Sequence, residues 1–416
     1  MWPRRAALPP EKRLSAEAVT SLIVHFFFIL GSNMAGLFLN LYLWRLTESL
    51  WVNGLYNIIA YSLTPFAFAL GGWVSKKMDR VIALRIGVAL TALFYLLVII
   101  VRESVVDWYP LFAVFAALAS SFYWSAYLTI MYDVSTEQNR IRYMGFNMIA
   151  FTAAGLVGPM LAGWIIAWNE GLRGYIIVFS FAFVMYLLTT VASLRIRAVQ
   201  THHHAYYLKF AGLLLRKQKL WRGSLMAFLT LGTLQGIMLF LPNILLYKAL
   251  PDEQWIGYVG AICSLVSIGV SLGMTRAARE RHARLYLVIG AAGFSAAALL
   301  LTLGVDLFTV VMFMLLHALI NPLYSNTLNS YYYRLVAQLP LKGQLAIEAV
   351  VIRETFLNIG RVVSIFALVA IADGPDSVWL PWVIVAASLA QFTMAIWIDR
   401  NGGISGQPDD AGHSAT

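Results

Sequence analysis

Apolar runs of roughly 20 residues recur along the whole chain, separated by short polar stretches that hold most of the charge. As a helix rising 1.5 Å per residue, each run is long enough to cross the ~30 Å hydrocarbon core of a bilayer. Continuous runs, rather than ten-residue segments alternating with period two, mean helices and not barrel strands. The pattern predicts twelve of them, at 18–46, 50–75, 81–101, 108–132, 143–168, 174–195, 222–248, 254–275, 284–304, 307–332, 346–371 and 378–399. The first run starts near Ala18 and is too long for the apolar core of a signal peptide, so it is expected to remain as the first span.

Composition agrees. Of 416 residues, 60% are hydrophobic and 12% charged, about half the charged share of a soluble domain. The single cysteine, Cys263, lies inside a predicted span, so disulfides play no part.

Twelve spans return the chain to the side on which it started, and charge indicates which side that is. If both termini are cytoplasmic, 24 of the 30 Lys and Arg residues fall on the inner side. Only Arg45, Arg102, Arg173 and Lys248 fall outside, with Arg353 and Arg361 inside the membrane. The positive-inside rule therefore predicts a multi-pass protein of a cell membrane with cytoplasmic termini. The same distribution accounts for the net charge of +10 as attraction to the inner leaflet, without a nucleic-acid partner.

The longest polar connection, 196–221, falls at mid-chain. It divides the sequence into a six-helix half at 1–195, a cytoplasmic linker at 196–221, a second half at 222–399 and a cytoplasmic tail at 400–416. A shift of 201 residues superposes Leu30-Gly31 on Leu231-Gly232, Gly72 on Gly273, Asp79-Arg80 on Glu280-Arg281 and Tyr123 on Tyr324. The expected class is an all-α polytopic membrane protein of two related six-helix halves, an architecture common among secondary transporters.

Two stretches are more specific. GWVSKKMDRVIALR (72–85) follows the second run, and GFNMIAFTAAGLVGPMLAG (145–163) forms most of the fifth. The first resembles the loop signature of the major facilitator superfamily through Gly72, Lys77 and Arg80, with Lys76 in the place of the usual acid and Asp79 in that of the second glycine. The second is similar to the antiporter motif of the drug:proton branch, through Gly145, Ala154, Gly158-Pro159 and Ala162-Gly163. The resemblance implies a single polypeptide, expected to be a monomer, that alternates between inward-open and outward-open states. Helices one, four, seven and ten would line a central cavity, and the antiporter motif is associated with export by proton exchange. Small residues let helices approach closely, and Pro159 can bend its span, so these are expected to be conformational positions.

Ionisable side chains inside the spans are the candidate chemistry, because a charge near the bilayer centre costs on the order of 3 kcal/mol. Glu354, Asn358 and Arg361 are spaced i, i+4, i+7 and share a helix face. Arg353 points elsewhere and, some 10 Å inside the membrane, could reach the inner surface. His317 and Asn321 are likewise one turn apart. Glu354 and His317 are candidates for proton coupling. Arg361, Asn358, Asn321, Gln235, Asn33, Trp124 and Tyr127 are candidates for the substrate cavity. Glu354 and Arg361 can equally be read as a structural pair.

The run His202–His204 has no acidic or Cys partners and reads as solvated linker. The glycines near 290–298 lack the lysine of an ATP-binding loop. Neither a metal nor a cofactor is expected, nor an enzyme. The expected function is proton-coupled export of small amphipathic or hydrophobic compounds. Alternatives are transport of anionic solutes or lipid-linked head groups anchored by Arg361, or a non-transporting scaffold or sensor.

Overall fold

The computed structural model describes residues 13–135, 138–196, 206–277, 282–340 and 345–398. The histidine run, residues 1–12 and the tail at 400–416 lie outside them. Among the described residues there are twelve candidate membrane spans and no strand. The first six are α1 (Ala16–Thr47), α2 (Leu50–Lys77), α3 (Arg80–Val101), α4 (Tyr109–Asp133), α5 (Arg140–Ala167) and α6 (Arg173–Ser193). A short α7 (Leu208–Lys217) follows. The remaining spans are α8 (Lys219–Met238) with α9 (Leu241–Ala249), α10 (Glu253–Ala277), α11 (Ala283–Leu300), α12 (Leu307–Ala337), α13 (Ala346–Ile371), and α14 (Trp379–Ala390) with α15 (Met394–Trp397).

Four of the spans, α1, α2, α3 and α12, start at a side-chain cap. The Ser15 and Ser49 side chains accept backbone N–H bonds at the heads of α1 and α2. Asp306 and Thr309 form a reciprocal capping box on α12. Asp79 accepts the Val81 amide at 2.6 Å and caps α3. That gives a local reason for an acid where the resembling signature has glycine.

Three expectations are modified. The seventh span is two helices, because Pro242 cannot donate to the carbonyl one turn back and the helix breaks at Leu239–Phe240. The last span is interrupted by a 3₁₀ turn at Gln391–Thr393. The polar connection 196–221 is not all loop, since it contains α7 and the first turn of α8.

We call the side from which α1 rises the base, and the other side the top. The first six spans pack on one another, with α1 against α5 and α6, α3 against α4 and α6, and α2 against α4. The last six do the same, α8 against α13, α10 against α12, and α11 against α12 and α14. The two groups meet along two seams, α2 with α13 and α5 with α10. Ion pairs between helix ends agree with the alternating directions. Lys76 meets Glu348 at the base, while Arg45 meets Glu253 and Lys248 meets Asp376 at the top.

Candidate functional site

A cavity of about 540 Å³ lies between the two groups of spans. On α5 its wall is Asn147, Met148, Phe151, Thr152 and Gly155, and at the α8–α9 break Met238, Pro242 and Asn243. From α10 come Cys263, Ser264, Ser267, Ile268 and Ser271. The wall is completed from α12 by Met314, His317, Ala318, Asn321, Pro322, Ser325 and Asn326. No Asp, Glu, Lys or Arg is among these residues. Amides, hydroxyls and one imidazole supply the polarity.

Prolines shape this wall through the bonds they cannot make. Pro159 leaves the Gly155 carbonyl without its helical donor, and the Ser264 hydroxyl donates to that carbonyl at 3.1 Å. Pro322 does the same to Ala318, whose carbonyl accepts from Ser267 at 2.9 Å. One face of α10 thus repairs two proline interruptions, one on each side of the α5–α10 seam.

Of the candidates named from sequence, His317 and Asn321 reach the cavity wall together, as their spacing predicts. The His317 ring stacks on Phe294, with centroids 5.0 Å apart. Glu354 and Arg361 do not form a pair. Arg353 takes the carboxylate instead, its Nη2 donating to Glu354 Oε1 at 2.8 Å and its Nη1 to the Tyr333 hydroxyl at 3.0 Å. Nor does Arg353 reach the surface. It is buried, with its guanidinium within 6 Å of the Phe228, Tyr332 and Tyr333 rings. Neighbours on a helix point 100° apart, but long side chains curl across that gap when adjacent helices offer aromatic faces. Arg353→Ala would strand Glu354 in the interior. We expect it to cost about 3–5 kcal/mol, read as a lowered thermal transition, while Arg353→Lys retains part of the stability.

Arg361 has other company. Its Nε and Nη2 donate to Gln235 Oε1 at 3.2 and 2.8 Å, and its Nη1 to Asn358 Oδ1 at 3.0 Å. The guanidinium carbon lies 4.9 Å from the centre of the Tyr61 ring on α2. Arg361, Asn358 and Gln235 are therefore brought together, but away from the cavity wall. No carboxylate of a described residue lies within 4.0 Å of Arg361.

Two of the remaining cavity candidates, Trp124 and Tyr127, lie beside a histidine that sequence reasoning passed over. His25 of α1 is buried, 2.8 Å from the Tyr123 hydroxyl through Nδ1 and stacked on Tyr127 at 3.9 Å, with Trp124 edge-on. Tyr127 donates to Asn147 Oδ1 at 2.6 Å and so joins this cluster to the cavity wall. The first six spans thus also hold buried titratable chemistry, and a lone histidine within an apolar run was the available signal. Asn33 packs beneath Gly158, where an added Cβ would come within 2.9 Å of the Asn33 Cβ.

That contact refines the antiporter-like stretch. Gly158 serves packing against α1, within the first six spans. Pro159 and Gly163 meet α10 across the seam. A Cβ on Gly163 would fall 2.6 Å from the Glu253 carbonyl and 3.1 Å from the Gly257 Cα, and one on Gly257 would fall 2.5 Å from the Pro159 carbonyl. Gly145, nearer the base, has nothing within 4 Å of such a position.

Both ends of the interface carry charge. At the top, Arg45 Nη1 donates to Glu253 Oε1 at 2.6 Å, beside the Tyr175 and Tyr247 rings, and the Tyr175 hydroxyl donates to the same oxygen at 3.2 Å. Glu253 lies in the first turn of α10, where the helix dipole favours an acid. At the base, Lys76 donates to the fully buried Glu348 Oε1 at 2.5 Å, and the Tyr207 amide donates to that oxygen at 2.8 Å. Tyr206 and Tyr207 lay their rings near the ammonium. Burial, with the Glu348 charge adding to it, pushes the Tyr206 phenol up from its ordinary value. Gly72 allows Ile347 to approach, with only 2.9 Å to an added Cβ. Lys77 is exposed, whereas Asp79 and Arg80 are buried. The lysine that replaces the signature's acid is thus answered by an acid on α13, a partner the motif alone does not name.

The sequence matches the profile of the Major Facilitator Superfamily over residues 21–339. It is 27% identical over 342 residues to the uncharacterized protein YqgE of Bacillus subtilis (strain 168), covering 82% of this chain and 79% of that one. Among solved structures it is similar to the nucleoside transporter NupG, with a TM-score of 0.69 and 13% identity, covering 91% of this chain and 98% of that one. A bacterial homologue of the iron transporter ferroportin in an inward-facing state gives a TM-score of 0.69 at 16% identity, covering 92% and 98%. At such identities these likenesses show the fold alone. With twelve candidate spans, a cavity between two six-span groups and a profile match over most of its length, this chain belongs to the major facilitator superfamily and is a membrane transporter rather than an enzyme.

Proposed function

We propose that the chain is a proton-coupled exporter of small amphipathic or hydrophobic compounds, acting as a monomer in the cell membrane with its base in the cytoplasm. One observation carries the substrate class. The cavity wall combines Met148, Phe151, Ile268 and Met314 with hydroxyls and amides, and it holds no formally charged carboxylate, lysine or arginine. Such a surface suits a compound that is apolar over much of its area and hydrogen-bonds at a few points. The positive-inside distribution supports the orientation. The Arg45–Glu253 pair and the tight Gly163–Gly257 contact close the top, which corresponds to an inward-facing state.

Coupling needs a group that exchanges protons with the path. His317 on the wall is better placed than Glu354, whose carboxylate Arg353 already engages. In proteoliposomes with an imposed pH gradient, wild type should accumulate an amphipathic substrate. His317→Gln should lose that accumulation yet retain counterflow exchange, which needs no net proton movement. If Glu354→Gln has that phenotype and His317→Gln does not, the carboxylate carries the proton. If neither does, proton coupling through these groups is wrong.

A second reading has its own observation. Arg361 carries a charge at membrane depth with only amides and a ring around it, so a substrate's carboxylate or phosphate could complete its coordination. Arg361→Gln should then weaken transport of anionic compounds selectively. An equal loss for neutral and anionic compounds sinks that role.

A further inference from the structure

The two seams between the six-span groups are not in the same state. The α2–α13 seam is engaged from end to end. Near the top, a Cβ on Gly54 would fall 2.3 Å from Val369. At mid-depth Arg361 covers Tyr61, and at the base Gly72 meets Ile347 and Lys76 meets Glu348. The α5–α10 seam is engaged only in its upper part, through Gly163 and Gly257, then Pro159, then the Ser264 bond to Gly155. Below that bond the helices part around the cavity, which takes Asn147, Met148 and Phe151 from one and Ser267, Ile268 and Ser271 from the other. Gly145 faces open space, and Met148 and Phe151 are 51% and 46% exposed.

Two bundles standing side by side meet the surrounding lipid along their seams, so a one-sided parting opens the cavity sideways. We propose that the lower α5–α10 seam is a side entrance through which an amphiphile of the base-side leaflet brings an uncharged, hydrogen-bonding head group into the cavity while its apolar chain stays at the rim. This rests on the reading that the cavity is the transport site. The chemistry is arranged for it. Apolar Met148 and Phe151 stand at the rim, whereas Asn147, Ser267, Ser271, Asn321 and His317 present neutral donors and acceptors within. Asn147 and Ser271 lie six or seven residues from the base ends of their helices, some 10 Å along the axis. A head group drawn to that depth leaves water, so a charged one would need a counter-charge, and the wall holds no carboxylate, lysine or arginine to supply a permanent one.

The test is photolabelling of the full chain in phosphatidylcholine vesicles, using a monoacylglycerol and a lysophosphatidylglycerol that carry the same diazirine in the acyl chain. The neutral probe should label the segments 147–155 and 263–271 saturably, and unlabelled monoacylglycerol should compete while lysophosphatidylglycerol does not. It should also slow maleimide modification of Cys263, the only thiol in the chain and part of the wall. Ser271→Arg places a cation on that wall and should invert the preference between the two probes by tenfold or more. Equal labelling by both probes, or an unchanged preference in Ser271→Arg, overturns the proposal. Absence of labelling in vesicles that still accumulate a substrate under a pH gradient overturns the entrance and leaves the transport reading standing. Saturable, head-group-selective labelling in vesicles that never respond to the gradient supports the entrance and counts against coupling instead.

Discussion

Lys76→Glu alone is expected to destabilise the protein by about 3–5 kcal/mol, and adding Glu348→Lys should restore most of the loss. The first change sets two carboxylates against each other at the base of the α2–α13 seam, where Glu348 is fully buried. Neither can retreat to water, because Ile347 packs onto Gly72 on one side and Tyr206 and Tyr207 cover the other. The double change exchanges the charges and keeps the pair. Recovery should be incomplete, since the Tyr207 amide now donates to Glu348 Oε1 and would face an ammonium instead. Thermal unfolding in detergent measures both steps. If the double variant melts no higher than the worse of the two single variants, the pair is not what joins these helices.

Gly163→Leu should act on the conformational equilibrium. The new side chain enters where the Glu253 carbonyl and the Gly257 Cα already stand within 3.1 Å of a bare Cβ. Backbone cannot rotate aside, so α10 must move away and take the Arg45–Glu253 pair with it. Overpacking of this kind costs about 1–3 kcal/mol, which shifts a two-state equilibrium roughly 5- to 150-fold, here away from the closed top. Spin labels at the top ends of α5 and α10 should report longer distances, and transport should fall. Gly158→Leu offers the contrast, because it strikes Asn33 and Met34 within the first six spans and should lower stability without favouring an open top. Unchanged distances in Gly163→Leu would mean that this contact does not gate the seam.

The spans were legible because the bilayer imposes one rule on every residue that crosses it. Backbone groups must be satisfied within the segment, so length and apolarity alone delimit a helix, as at 346–371, where the expected and observed bounds coincide. The break at Pro242 was legible in principle, since a missing N–H is a property of the residue. His317 and Asn321 could be placed together because one turn of one helix determines their relation.

Partners on different helices were another matter. Helical spacing put Glu354 and Arg361 on one face, and that much is true of the backbone. It could not say that Phe228, Tyr332 and Tyr333 would surround Arg353 and hold it against Glu354, because those rings come from α8 and α12. Lys76 read as an acid lost, until α13 brought Glu348 to it from 272 positions away. Periodicity within a helix fixes which residues share a side, and the solvent fixes how many helices there are. Which sides meet is decided by packing among all twelve at once, through contacts such as Gly163 on Gly257 that no single segment contains. By itself, then, the sequence determined the number of spans, their approximate bounds and which residues share a face. Only the tertiary structure decided which charges are paired, which seam is parted and where the cavity lies.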